Sequence, residues 1–500
     1  MKLRLTASAL ALIVAAPAFA DDNQAYSDQN GTGNSLLIEQ QGSMNQAGTA
    51  PDGGDLDAIT QDGDNNDAEI LQVGDMNRVG TGNNGSASQQ GDDNVFDIDQ
   101  MTSENNVGLV RQNSASADGS SDTENELTVL QNGGDDNNVS ISIQNNDGGS
   151  ANTAALTQTG TGKTLRGRLT QLGSGNSATL DQIGDNNRVD EILQGETRGP
   201  DIFSDDNTAS LSFLGNGNGT TSLTGVAAVT DDRKVIQFGD GNYVGLDVVG
   251  DNNAFGTSQV GDMNSINNGV VGMAAPIMGD DNAFGAMQTG TNNDIAVLDF
   301  NGNGNTVGAT QTGVDNTIEL TLLQDDNIVD LDQESNAVGN EIEAMVDGNM
   351  NELIVNQTVG ASANASSTAT VDITGDMNYL NVQQNSIRSL SGPQTVMVSI
   401  DGDNNNNSGI LTAFSGDAAT VAGSLVTPGD IFQEKNGSLV SLDVTGNDNL
   451  FATYQSGNPG GEIMGTINGN QNQAVVTQVG ATNMASFSQV GNMNNLGIMQ

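Results

Sequence analysis

The chain is 500 residues long, with 65 glycines, 3 % aromatic residues and no tryptophan, histidine or cysteine. Its formal net charge of −50 excludes nucleic-acid binding, which needs a positive field, and the missing His and Cys exclude the common nucleophile–base pairs and zinc sites. So few large side chains cannot fill an ordinary globular core, but layers of Ala, Val, Ile and Leu can be buried between stacked strands.

Residues 1–20 read as a secretory signal: Lys2 and Arg4 supply the positive start, Leu10 to Ala16 the apolar run, and Ala18-Phe19-Ala20 the small-x-small cleavage site before Asp21. That run is too short to span a membrane, and no later segment suits one. The mature chain is therefore expected outside the cell and not membrane-spanning. An exported chain without cysteine has no disulfide framework, so its order must come from another source.

Residues 21–28 form a short N-terminal segment, and from 29 to 500 the chain is a repeat array. Its phrase is Gln-x-Gly-x-x-Asn, found at Gln29, Gln40, Gln61, Gln72, Gln89, Gln171, Gln182, Gln237, Gln259, Gln288, Gln311, Gln478 and Gln489. Several of these are spaced by eleven, as are Gln478, Gln489 and Gln500. A repeat at a fixed period marks one quasi-linear body rather than several globular domains.

After each Asn every second residue is apolar up to the next Gln, as in Asn66, Ala68, Ile70, Gln72 or Asn176, Ala178, Leu180, Gln182. That is the period of a strand with one face buried. The residues between, such as Asp67 and Glu69 or Asp330 and Asp332, are polar or acidic. A slip of one residue would bury these carboxylates, so the register is firmly set. The turn glycines Gly63, Gly74, Gly173, Gly184, Gly239, Gly261, Gly480 and Gly491 take φ > 0 without steric cost. One unit is a strand and a tight turn; two make a strand–turn–strand hairpin of 22. The expected fold is all-β, a β-solenoid with irregular insertions.

Looser stretches near 101–157, 190–232, 334–372 and 406–443 read as insertions, some with degenerate units, others, such as 408–429, as loops bulging from the stack. No amphipathic helix is expected after the signal. Nine units, at Phe213, Val248, Ile277, Phe300, Val346, Ile373, Ile400, Val444 and Ile467, keep Gly-x-x-Asn but carry an apolar residue in place of Gln.

In a stack at about 4.7–4.8 Å, identical side chains sit above one another, and each Gln or Asn amide bonds to the copies above and below. The stacking positions are the Gln residues above together with Gln500, and Asn34, Asn66, Asn94, Asn176, Asn483 and Asn494. The array begins near the cleavage site and ends on a motif position, so its end coils are expected to lack the polar caps that keep repeat proteins monomeric. Stacked acidic rungs repel, so assembly is expected to quicken in acid or with divalent cations.

The carboxylate pairs Asp231/Asp232 and Asp325/Asp326 read as solvated turn residues rather than a catalytic acid and base. Turns such as Gly-Asp-Asn-Asn at 184–187 crowd oxygen ligands that suit weak Ca²⁺ binding, but a calcium β-roll repeats every nine residues, not eleven. Lys163, Arg166 and Arg168 form the only basic cluster. They read as charges that slow self-association, or as a docking point.

The units Gln61–Gln72, Gln171–Gln182 and Gln478–Gln489 all read Gln-x-Gly-x-x-Asn-x-Ala-x-x-x-Gln. This resembles the repeat of the curlin family of bacterial functional amyloids, over nearly the whole mature chain. The resemblance implies a β-solenoid, export through a curli-type outer-membrane pore, and polymerisation with itself or other curlin-like subunits into surface fibres for adhesion and biofilm. It implies no cofactor and no enzymatic activity. The chain is several times longer than an ordinary curlin and is interrupted by insertions, so a main fibre subunit and an accessory one both fit. The alternative is a monomeric acidic surface solenoid that binds Ca²⁺ or acts as an adhesin.

Overall fold

The computed structural model describes residues 22–49, 58–81, 86–114, 124–146, 149–195, 204–266, 277–335, 340–359, 367–386, 394–407, 413–423, 425–433, 439–456, 461–480 and 483–500. The signal at 1–20 lies outside them. The chain forms two units, one of Met1–Thr221 with Arg233–Asn252 and one of Ser222–Asp232 with Asn253–Gln500.

Through most of the stack consecutive strands do not pair with each other; only near the C-terminal end do successive strands, Asp430–Gln433, Leu450–Ser456, Gln473–Val479 and Asn495–Met499, lie side by side. In the first unit Ser177–Ile183 lies between Asn152–Thr159 and Thr208–Leu214, while Thr164–Leu172 lies between Asn138–Asn146 and Arg188–Gln194, every pair parallel. The chain thus changes sheet at each turn, completes a coil with two strands and lays the next coil on it. The second unit repeats the pattern: Ala283–Thr291, Thr306–Val314, Ile328–Ser335 and Glu352–Val359 pair in order in one sheet, and Asp294–Phe300 with Thr317–Leu322 in the other. The fold is a β-solenoid. The 22-residue unit is one coil of it and not a hydrogen-bonded hairpin, because its two strands bury their apolar faces against each other instead of sharing a ladder.

The core lies between the sheets. Ile70, Phe96, Ile98, Leu127, Leu156 and Leu180 are all at most 1 % exposed in the first unit, as are Val307, Ala309, Val329 and Leu331 in the second. Asp67 and Glu69 point outward and are exposed. Where the motif is intact, a strand runs Asn, apolar, apolar, Gln along its inner face, so two apolar columns are flanked by two amide columns.

Pairing starts ahead of Gln29: Gln24 and Ala25 pair with Gln46 and Ala47, so part of the expected leader segment already belongs to the stack. The stretch 101–157 is likewise mostly stack, with strands at Asn106–Ser114, Asn125–Asn132, Asn138–Asn146 and Asn152–Thr159. Its spelling is disguised by an extra residue. The buried set steps Val107, Val110, Gln112 and Val139, Ser142, Gln144, and the register shifts there by one residue between Val139 and Ser142 as the next strand is met. Such a bulge breaks the period of two without breaking the ladder. Within 406–443 the chain forms a strand at Asp430–Gln433 and a helix at Gly416–Ala422. The helix was not expected, since two turns are too short to show a 3.6-residue period. Ala418 and Ala422, four apart, pack with Val426 on Ala452 and Val475 of the sheet.

Candidate functional site

The Gln side chains form continuous ladders. In the first unit Nε2 of Gln29 donates to Oε1 of Gln61, and the same bond links Gln61 to Gln89, Gln112, Gln144, Gln171, Gln194 and Gln237 in turn, at 2.5–3.0 Å. In the facing sheet the ladder runs Gln40, Gln72, Gln100, Gln131, Gln158, Gln182, at 2.8–3.0 Å. The second unit repeats it through Gln259, Gln288, Gln311 and Gln333 at 2.8–2.9 Å. Gln61, Gln89, Gln171 and Gln237 also close their own turns. Gln61 Nε2 reaches the carbonyl of Asn66, 3.1 Å away, and that of Ser35 in the facing sheet, 2.7 Å away. In that sheet the double duty suits a Gln placed five residues before Asn.

The Asn residues bind in the opposite sense. Asn66 N–H donates to Asn34 Oδ1, Asn94 N–H to Asn66 Oδ1, and Asn207 N–H to Asn176 Oδ1, at 2.9–3.1 Å. Their Nδ2 groups reach the glycine or other turn carbonyl of the next coil, as Asn34 does to Gly63 at 2.8 Å. In the second unit one such ladder links Asn253, Asn282, Asn305, Asn327, Asn351, Asn378, Asn405, Asn449, Asn472 and Asn494. The eight motif glycines all have φ between +102° and +133°.

Four predicted positions stand apart. Gln478 Nε2 turns back to Gln455 Oε1 at 3.4 Å, while Gln489 and Gln500 donate only to the carbonyls of Gln473 and Met484. Asn483 joins no Asn ladder among the described residues, and its buried Nδ2 has no partner there.

A third ladder was missed in the sequence. The residue after the turn glycine, Asp or Asn, accepts the backbone N–H of its counterpart in the preceding coil. In the second unit the chain of bonds runs Asp280, Asn303, Asp325, Asn349, Asp376, Asp403, Asn447, Asn470, Asn492, at 2.7–3.1 Å. The signal was present as recurrent Gly-Asp and Gly-Asn, but the same residues read as cation ligands. One oxygen of each is committed to the preceding coil, and among the described residues no three acidic side chains converge as a cation cage requires.

Apolar residues in place of Gln stack on one another within each unit. Gln182 pairs with Phe213 and Phe213 with Val248, and in the second unit Phe300 pairs with Leu322. Where the amides stop, Gln182 Nε2 is buried without a partner among the described residues.

Lys163 takes an Asn position: its N–H donates to Asn137 Oδ1 at 3.3 Å. It is fully buried, so its ammonium is not a surface charge that slows association. Nζ has no described partner and fills the space that Gly160 leaves by lacking a side chain. Burial pushes its pKa down to about 8, against the pull of Asp185. Of its two neighbours, Arg168 pairs with Glu191 at 2.5 Å and Arg166 is exposed. Lys163→Asn restores the ladder and removes a buried unpaired charge, so it is expected to stabilise the first unit by about 2 kcal/mol, read as a higher urea midpoint.

Burial, helped by the like charge of Asp332, pushes Asp330 up to about 6. Burial raises Asp97, Asp99, Asp294 and Asp332 as well. Between pH ~4 and ~6 the native chain therefore holds more protons than the unfolded one, so its stability falls as pH rises through that window and returns on acidification. Lowering pH from 7 to 5 is expected to raise the urea midpoint, with Asp330 contributing on the order of 1 kcal/mol after allowing for solvent screening. Asp330→Asn should flatten that part of the pH profile.

A comparison with known families bears on these columns. Residues 166–190 match the curlin associated repeat. This chain thus carries a curlin-like repeat, over a stretch that holds Gln171, Gly173, Asn176, Gln182, Gly184 and Asn187. No curated protein matches the chain. Among the described residues no helix is long and apolar enough to cross a membrane.

Proposed function

We propose that the chain is an exported structural protein that assembles with copies of itself into curli-like amyloid fibres on the cell surface, supporting adhesion and a biofilm matrix. The observation that carries this reading is the set of amide ladders. Each coil's donors and acceptors are met by the coil beside it, so a coil is completed by another coil, whichever chain supplies it. The curlin-like repeat supports the same reading, and a structural role rather than an enzymatic one fits that family. Other curlin-like subunits can enter such a stack because backbone and amide groups do the mating. Export follows the signal at 1–20 through a curli-type outer-membrane pore. Ca²⁺ acts here as a weak screen between acidic rungs and not as a part of the fold.

The test is the purified mature chain at high concentration. Thioflavin fluorescence and fibre reflections near ~4.7 and ~10 Å are expected. A chain that stays a soluble monomer with neither signal overturns the proposal and leaves a stand-alone acidic solenoid on the cell surface.

A further inference from the structure

In the second unit three successive turns place Asp448, Gln471 and Met493 at equivalent left-handed positions, with φ of 58°, 59° and 57°. The turns are stacked in order: Gln471 N–H donates to the Asn447 carbonyl and Met493 N–H to the Asn470 carbonyl, each at 2.9 Å. Opposite them the inserted segment folds back and supplies Ser415. Together with Gln473 and Asn495 these residues line a cleft of about 380 Å³.

The wall is held from two sides. Asn495 accepts the Ala418 N–H and donates to the Ser415 carbonyl, both at 2.8 Å. Beside it Gly497 admits the Asp417 carbonyl, which a Cβ would meet at 2.5 Å. Gln473 Oε1 is saturated: it accepts from Ser415 N–H at 2.7 Å, Ser415 Oγ at 2.9 Å and Asn495 Nδ2 at 3.0 Å. That orientation leaves the two Nε2 hydrogens of Gln473 bonded to no described residue and open to a ligand. The side chains of Asp448 and Gln471 bond to no described residue, and Met493 is 74 % exposed.

The cleft therefore offers one carboxylate, two amide groups with unused donors, and an apolar thioether beside them. No cation lines it, which disfavours an anionic ligand, and one carboxylate is too few for a divalent cation. A volume of this size suits a small organic ligand. Groups that both donate and accept, set next to each other on a ring with an apolar face, match this lining. We propose that the cleft binds a neutral sugar residue, with its hydroxyls on Asp448, Gln471 and Gln473 and its C–H face on Met493. This site does not rest on fibre formation, because it is read on the soluble chain.

Ligand-observed NMR with the full mature chain tests it, using the methyl glycosides of glucose, galactose, mannose and N-acetylglucosamine as probes. At least one should bind with a Kd on the order of millimolar. Asp448→Asn and Asp448→Ala should each weaken it by about tenfold or more, with an unchanged far-UV spectrum because the Asp448 side chain bonds to no described residue of the fold. Absence of binding by all four probes, or binding indifferent to both substitutions, overturns the proposal.

Discussion

Gly184→Ala is expected to open its coil. The residue has φ +110°, outside the region that a side chain tolerates, and an added Cβ would lie 2.0 Å from the Gly215 carbonyl oxygen and 2.7 Å from its carbon. Those are backbone atoms of the next coil, held in turn by the Asn187 side chain at 2.8 Å, so they cannot step aside alone. Either the coil separation grows locally, which stretches the flanking ladders, or the turn leaves its conformation. The cost is expected to be about 3–5 kcal/mol, the range of strain combined with broken packing. Hydrogen exchange on peptides spanning 177–194 should show the loss of protection, with residues beyond the adjacent coils little affected because repeat arrays couple to nearest neighbours. Gly480→Ala is the control. It has φ +133° but no described atom within 4 Å of the added carbon, so only the backbone strain of about 1–2 kcal/mol should appear.

The contrast between these two glycines bears on what the sequence could reveal. Both are spelled identically within the motif, and the positive φ of both followed from the Gly-x-x-Asn turn. The collision with the next coil did not, because it depends on which coil lies alongside. Similarly the inward faces of Asp67–Val73 and Ser177–Ile183 were legible, since an alternation of period two survives in any register. The strands Asn106–Ser114 and Asn138–Asn146 were hidden by a single bulged residue, although Gln112 and Gln144 occupy the same ladder as Gln89 and Gln171. The helix Gly416–Ala422 is fixed by its seat on Ala452 and Val475, and that tertiary contact leaves no local pattern.

The site was legible in a similar, partial way. Repetition of Gln and Asn pointed to columns, but not to their sense or extent. That Gln donates forward to the next coil while Asn receives its N–H from it is a matter of turn geometry. The apolar substitutions at Phe213, Phe300 and Val444 looked like scattered degeneracy along the chain. In the structure Phe213 and Phe300 belong to the sheet opposite the unbroken Gln column, because successive units alternate between sheets. The Asp and Asn after each glycine read as cation ligands, since a turn that crowds oxygens suits one; only the adjacent coil turns them into acceptors for a backbone N–H.

The column's end supplies the second large effect. Gln144→Leu should cost the first unit about 3 kcal/mol, and Gln182→Leu about 1 kcal/mol or less, although both remove a buried amide of the same motif. Gln144 lies mid-ladder: its Oε1 accepts from Gln112, and its Nε2 donates to Gln171 at 2.9 Å and to the Glu126 carbonyl at 2.8 Å. Leucine there leaves the buried Oε1 of Gln171 without that donor and unties the facing sheet at Glu126. Gln182 instead accepts from Gln158 at 3.0 Å and leaves its own Nε2 against Phe213 with no described partner. Leucine there removes one hydrogen bond but also an orphaned donor, and it extends the apolar column by one coil. Urea unfolding followed by far-UV circular dichroism at low concentration reads both, and local hydrogen exchange assigns each loss to its coil. Equal losses for the two would mean that the amides contribute singly. A difference of about 2 kcal/mol is what a ladder requires, because an interior member satisfies two neighbours and the last member only one.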